Sequence, residues 1–183
     1  MVTFKLIVSE YIHKGIRTIL LNKEAINKLA QNKGITKLAL VLLILIQLMP
    51  IFAFSILVVQ SFIQTIYDTF FAYFNLAINF ILIHVLARLF GSKEKFSNFF
   101  RAYAFPLTVS ILFLTGFYFY LIAYSPLINF IGILVLIWML VILYTVVMVV
   151  YKLNAVKAMA LVIISTFVWI VLQLSVYKLQ FPF

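Results

Sequence analysis

The chain has 183 residues, 67% of them hydrophobic and only 10% charged, with a formal net charge of +10. A soluble chain of this length could not hide that much apolar surface, because small domains leave a large fraction of their surface exposed. The basic excess raises nucleic acid as a partner, but its distribution argues against one, since the bases gather in short segments flanking apolar runs and form no basic domain of their own; with no cysteine there is no disulfide, thiolate metal site or thiol nucleophile.

Residues 3–21 step in helical fashion. Phe4, Ile7, Val8, Tyr11, Ile12, Ile16, Ile19 and Leu20 recur every three or four positions, and Lys5, Ser9, Glu10, His13, Lys14, Arg17 and Thr18 fill the other face. This predicts a basic amphipathic helix that lies in the headgroup plane, with Phe4 and Tyr11 toward lipid and Lys14 and Arg17 toward phosphates; packing on a protein partner is the alternative. The N-terminus does not read as a signal peptide, because its bases spread from Lys5 to Lys37 with no short apolar core and cleavage site. Asn22 is placed to cap a second short helix in which Ala25, Ile26, Leu29 and Ala30 share a face, with Gly34 as its stop.

Five apolar runs follow, each near the ~20 residues that cross ~30 Å of hydrocarbon as helix. The first, about 38–59, carries Gln47 and Pro50. The polar segment 60–69, with Asp68, reads as a connection. The second run, about 70–89, holds twelve Leu, Ile, Phe or Val residues, each favouring insertion by roughly 0.3–0.6 kcal/mol at the helix centre, against Asn75, Asn79 and His84. A turn at Gly91 then presents Arg88, Lys93, Lys95 and Arg101 against Glu94. After it, Phe96, Phe99, Phe100 and Tyr103 fall at i, i+3, i+4 and i+7, which predicts a second interfacial helix, and Pro106 predicts a bend that starts the third span, about 106–124. Ser125-Pro126 is a tight turn, the fourth span is about 127–150, and Lys152, Asn154 and Lys157 lead into the fifth, about 158–176.

The expected fold is therefore all-α: a polytopic integral membrane protein with five transmembrane helices, an N-terminal interfacial segment 1–34 and a five-span domain 35–183. Thirteen of the fourteen Lys and Arg residues fall on one side of this topology, so the positive-inside rule places the N-terminus in the cytoplasm and the C-terminus outside.

Chemistry is sparse. His13 and His84 lack a metal-ligand spacing, none of the four acids falls mid-span, and there is no phosphate-binding or dinucleotide loop. No catalytic, cofactor or metal residue is expected, and the protein reads as a non-enzyme. The polar residues inside spans are Gln47, Asn75, Asn79, His84, Ser165 and Gln173. Asn75 and Asn79 lie one turn apart, and Ser165, Trp169 and Gln173 form an i, i+4, i+8 stripe. Interhelical hydrogen bonding accounts for them; the other reading is a small channel or transporter subunit with a polar pathway.

A span ending in LARLFG, a basic turn, and then FSNFFRAYAFP, with Arg88, Gly91, Tyr103 and Pro106 as its marks, resembles the Yip (Ypt/Rab GTPase-interacting protein) domain family, as does YKLNAVKAMALV before the last span. The resemblance covers roughly residues 35–176. It implies five spans and a non-enzymatic membrane organiser that shapes the bilayer or scaffolds partners. Eukaryotic relatives act with Rab-type GTPases in vesicle traffic and carry an Asp-Leu-x-Gly-Pro motif before the first span. That motif is missing here, so the chain looks like an archaeal or bacterial member in a prokaryotic cell membrane. The partners this reading allows are anionic lipid headgroups, a second copy of the chain, and a small GTPase or other membrane protein. The physical reading agrees: helices wedged into one leaflet expand it and favour curvature toward that face.

Overall fold

The computed structural model describes the backbone of residues 2–45, 48, 62–120 and 126–180, and within these the side chains of residues 9–45, 48, 66–67, 70–71, 73–109 and 133–172. The described residues are helix, turn or short connecting loop, with no strand among them. The helices are α1 (Val2–Ile19), α2 (Lys23–Gln31), a 3-10 turn (Lys33–Ile35), α3 (36–45), α4 (Phe62–Leu89), α5 (Phe96–Tyr120), α6 (Pro126–Val150) and α7 (Ala155–Gln180).

Local rules set most helix ends. At the close of α1, Leu21 turns left-handed (φ 60°), and the Asn22 amide donates to the Arg17 carbonyl at 2.9 Å. Asn22 then caps α2, its side-chain oxygen accepting from the Ala25 amide at 2.9 Å, which satisfies one of the first-turn donors a helix leaves open. Asn32, and not Gly34, closes α2: its amide donates back to Lys28 and Leu29. Gly91 holds φ +95° after α4, with the Ser92 amide donating to the Ala87 carbonyl at 3.0 Å. That is the left-handed position at a helix C-terminus that a Cβ would strain. Asn154 opens α7 by accepting from the Lys157 amide at 2.9 Å.

Two expectations about boundaries change. Residues 62–69 continue α4 instead of forming a connection, with Tyr67 and Phe71 stacked at 6.0 Å. Helix α5 runs without a break through Pro106. The proline removes one amide, but residues 101–108 are all buried against the rest of the chain, so tertiary contact overrides the local preference for a bend. The second amphipathic helix is thus the opening of α5 and not a separate element.

In α6 and α7 the stretches Ile133–Val150 and Ala155–Leu172 are long and apolar enough to cross a membrane, and Tyr73–Leu89 is a shorter apolar stretch. Only 33% and 22% of the two long stretches is buried, whereas a core helix of a soluble protein would be mostly covered. β-Branched residues are frequent in both, yet both are helical, as a lipid solvent requires, because each backbone polar group must be satisfied within the segment. The expected first span lies mostly outside the described residues, together with Gln47 and Pro50; so do the Ser125 turn and the side chains of the third span past Val109.

The buried core joins α1, α2, α3, α5 and the ends of α4, α6 and α7. Helix α2 packs on α5 and α6, α1 on α2 and α5, α4 on α7, and α6 on α5 and α7. Helices α1 and α2 are therefore docked on the helical body, at the end where the α4–α5 and α6–α7 turns meet.

Candidate functional site

The basic end is built first by α1. The helix presents Tyr11, Gly15 and Thr18 (i, i+4, i+7) to the protein, and all three are buried. Tyr11 meets Phe105 of α5 edge-on, ring centroids 5.3 Å apart. Gly15 lies over the same ring: a Cβ there would sit 2.2 Å from Phe105 Cδ1, so only glycine lets α1 come this close. Thr18 returns its hydroxyl to the Lys14 carbonyl at 3.0 Å. The Tyr11 hydroxyl is buried without a hydrogen-bond partner among the described residues, and burial pushes its phenol up in pKa.

With that stripe turned inward, the aliphatic stripe faces out. Ile12, Ile16 and Leu20 (i, i+4, i+8) are 44%, 49% and 70% exposed, and Arg17 beside them is exposed as well. Hydropathy alone would have buried these three and left Thr18 outside. The helix instead has two contact faces, a packed one using small and aromatic residues and an aliphatic one with no protein against it among the described residues.

Arg101 is the second fixture. Sequence placed it toward lipid headgroups; it is 4% exposed. Its guanidinium donates from Nε to the Ala30 carbonyl at 2.8 Å, from Nη1 to Thr36 Oγ1 at 3.2 Å, and from Nη2 to Asn98 Oδ1 at 2.6 Å and again to Ala30. Ala30 lies in the last turn of α2, where carbonyls lack partners within the helix and the dipole favours a cation. The fork-shaped donor set of arginine answers both needs and ties α2, the start of α3 and α5 together.

The aromatic face of early α5 also packs inward. Phe80 of α4 is ringed by Phe99, Phe100 and Tyr103 at 5.6, 5.9 and 6.0 Å, mostly edge to face, as aromatic quadrupoles prefer. Phe99 is fully buried and also stacks on Tyr151 at 5.5 Å. Tyr11, Phe99 and Arg101, expected at a lipid surface, thus hold the protein together, and Phe100 is half-buried. Phe96, Arg17, Lys93 and Lys95 are exposed, Lys14 is half-buried and paired with Glu10, and the Phe4 side chain lies outside the described residues.

The two basic turns, expected on one side, are joined. Lys152 Nζ pairs with Glu94 Oε1 at 2.6 Å, Lys157 Nζ donates to the Phe90 carbonyl at 3.0 Å, and His84 Nδ1 lies 3.0 Å from the Tyr151 hydroxyl. Glu94 is held below the usual carboxylate range, chiefly by the hydrogen bond from Lys152 and further by Asn98. Arg88 donates to the Ser92 carbonyl at 3.2 Å and so braces the Gly91 turn. Each carboxylate described here is taken: Glu10 by Lys14, Glu24 by Lys28, Glu94 by Lys152. The remaining bases give this end a net positive field.

Among the described residues no hydrogen bond joins the polar residues inside spans to one another. Asn75 is buried and Asn79 half-buried on α4; Ser165 is buried, but its hydroxyl donates to Val162 of its own helix at 3.1 Å, and Trp169 one turn on is exposed. The Gln47 and Gln173 side chains lie outside the described residues. Among the described residues no group of three or more His, Cys, Asp or Glu could hold a metal. The residue sequence reasoning passed over is Gly15. Its signal was available, since a lone glycine inside a helical pattern costs about 1 kcal/mol against alanine and commonly marks a close approach.

No curated protein and no solved structure matches the chain. The model of the Yip1 domain matches residues 17–177, from the last turn of α1 to near the end of α7, and the chain belongs to the Yip1 domain family.

Proposed function

We propose that this Yip-type membrane protein is a non-enzymatic organiser of the bilayer that acts through α1 as a wedge. In this reading five helices cross the membrane, the basic end faces the cytoplasm, and the Ile12–Ile16–Leu20 stripe enters the boundary between headgroups and acyl chains. The observation that carries it is that stripe: three aliphatic side chains outermost on a helix whose opposite face is fixed by Tyr11 and Gly15. A surface aliphatic row on a docked helix, beside exposed Arg17 and an end rich in uncompensated bases, has the chemistry of an interfacial helix. Docking holds the wedge at a fixed depth relative to the spans, so inserting it enlarges one leaflet only. The same end would also scaffold a membrane-protein partner.

Reconstitution into liposomes tests this. The wild-type chain should shift vesicles to smaller diameters, and the triple variant Ile12→Asn, Ile16→Asn, Leu20→Asn should abolish the shift while keeping its helical content. Equal vesicle sizes for the two proteins would count against the wedge. Orientation is tested separately with an impermeant thiol reagent. Lys93→Cys and Asn154→Cys should label from the same side, and Ser125→Cys from the other. Lys93 is the better probe of its turn, since Ser92 is buried.

A further inference from the structure

A pocket of about 490 Å³ opens between the α4–α5 and α6–α7 turns. Gly91, Ser92, Lys93 and Glu94 form one wall, and Lys152 and Lys157 stand on the other. Its volume lies within the range of small-molecule sites and exceeds what a lone ion needs. Three lysines face one carboxylate, and that carboxylate is already engaged by Lys152 and by Asn98 at 3.1 Å. Lys157 reaches only a neutral carbonyl, and Lys93 has no acid in reach among the described residues. The pocket therefore holds two positive charges that no acid among the described residues neutralises, as a phosphate site requires.

Its position identifies the source of the phosphate. The apolar stretch Tyr73–Leu89 ends at one wall, and Ile133–Val150 and Ala155–Leu172 meet at the other, which sets the pocket at the level where hydrocarbon gives way to headgroups. Leu89 and Val156, each next in sequence to a residue of the wall, are 76% and 78% exposed. They stand at the ends of α4 and α7, which pack on each other. An apolar shoulder next to a cationic pocket suits a molecule with both an anionic head and a greasy body. We propose that this pocket binds the phosphate of an anionic lipid headgroup, with Lys93 and Lys157 as its cationic contacts. The inference rests on the basic end facing the headgroups and does not depend on the wedge action of α1.

Native mass spectrometry of the full chain in detergent at physiological salt, with phosphatidylglycerol or phosphatidylcholine added, reads retention directly. Phosphatidylglycerol should be retained and phosphatidylcholine not. Lys93→Gln alone should weaken retention about fivefold and Lys93→Gln with Lys157→Gln about thirty-fold, at roughly one surface-lysine contribution each. Lys93 is exposed and makes no hydrogen bond or ion pair among the described residues, so its single variant guards against misfolding, and Lys157→Arg should keep most of the binding that Lys157→Gln loses. The charge-matched pair Lys23→Gln, Lys33→Gln, on and just after α2, should leave retention unchanged. Equal loss in both pairs would mean diffuse attraction and overturn the site. Equal retention of both lipids, or ready displacement by inorganic phosphate, would overturn the lipid assignment. A chain that retains phosphatidylglycerol yet leaves vesicle shape unaltered would break the wedge reading alone.

Discussion

The two ends of this molecule are built on different rules. At the basic end α1, α2 and the opening of α5 are packed as in a soluble protein: a buried arginine with its donors taken up, aromatic rings edge to face, and a glycine that admits a ring. Along Ile133–Val150 of α6 and Ala155–Leu172 of α7 only a minority of the residues is buried. Lipid is as apolar as a leucine side chain, so no hydrophobic drive pulls these helices together, and side chains there are selected for being greasy more than for fitting. The basic end must exclude water and satisfy its polar groups, so its residues are individually specified. The difference says where substitutions will matter.

Breaking that contrast at its strongest point means Arg101→Ala. It strands the Ala30 carbonyl and removes a fork of charged hydrogen bonds, and should cost on the order of 3 kcal/mol, read as a fall in thermal midpoint in detergent; Arg101→Lys should recover only part. Gly15→Ala comes next, with an expected loss of about 1–3 kcal/mol as α1 is forced off Phe105, visible as faster proteolysis between α1 and α2. Tyr11→Phe has the opposite sign. It removes a buried hydroxyl with no partner among the described residues, so the variant should match the wild type or gain about 1 kcal/mol. The link between the turns is weaker and depends on pH. The folded pKa of Glu94 is depressed, so its contribution is full above the unfolded value and lost as pH falls through the folded one. A melting series into acid should show the wild type converging on Glu94→Gln from a gap under about 1 kcal/mol. The smallest effect is expected on the exposed face of α7, where Ile163→Ala should stay within about 0.5 kcal/mol. A large loss there would mean that α7 is covered by protein.

How legible each part was follows from the same division. The long apolar runs of α6 and α7 announce themselves through composition, because a lipid solvent leaves one solution for the backbone. The α2 cap at Asn22, the Gly91 turn and the shared side of the 88–101 and 152–157 turns were also readable, the first two from local chemistry and the third from charge. The basic end resisted because periodicity shows that a helix has two faces but not which one meets protein. Phe99, Tyr103 and Arg101 have an interfacial helix's spacing, yet the first two pack on Phe80 and the third finds the open end of α2, a partner 71 positions away in the chain. Pro106 misled for a related reason, since its local preference is small beside the burial of the residues around it.

The central claim is that α1 turns Tyr11, Gly15 and Thr18 to protein and Ile12, Ile16 and Leu20 to lipid. The chain has no cysteine, so spin labels can be placed singly at Ile12, Ile16, Leu20 and, as a polar-face reference, the exposed Glu10 in the reconstituted protein. The account predicts that labels at the first three are relaxed by oxygen and shielded from a water-soluble paramagnetic reagent, with Glu10 the reverse. Equal access of the aqueous reagent to all four positions would contradict it.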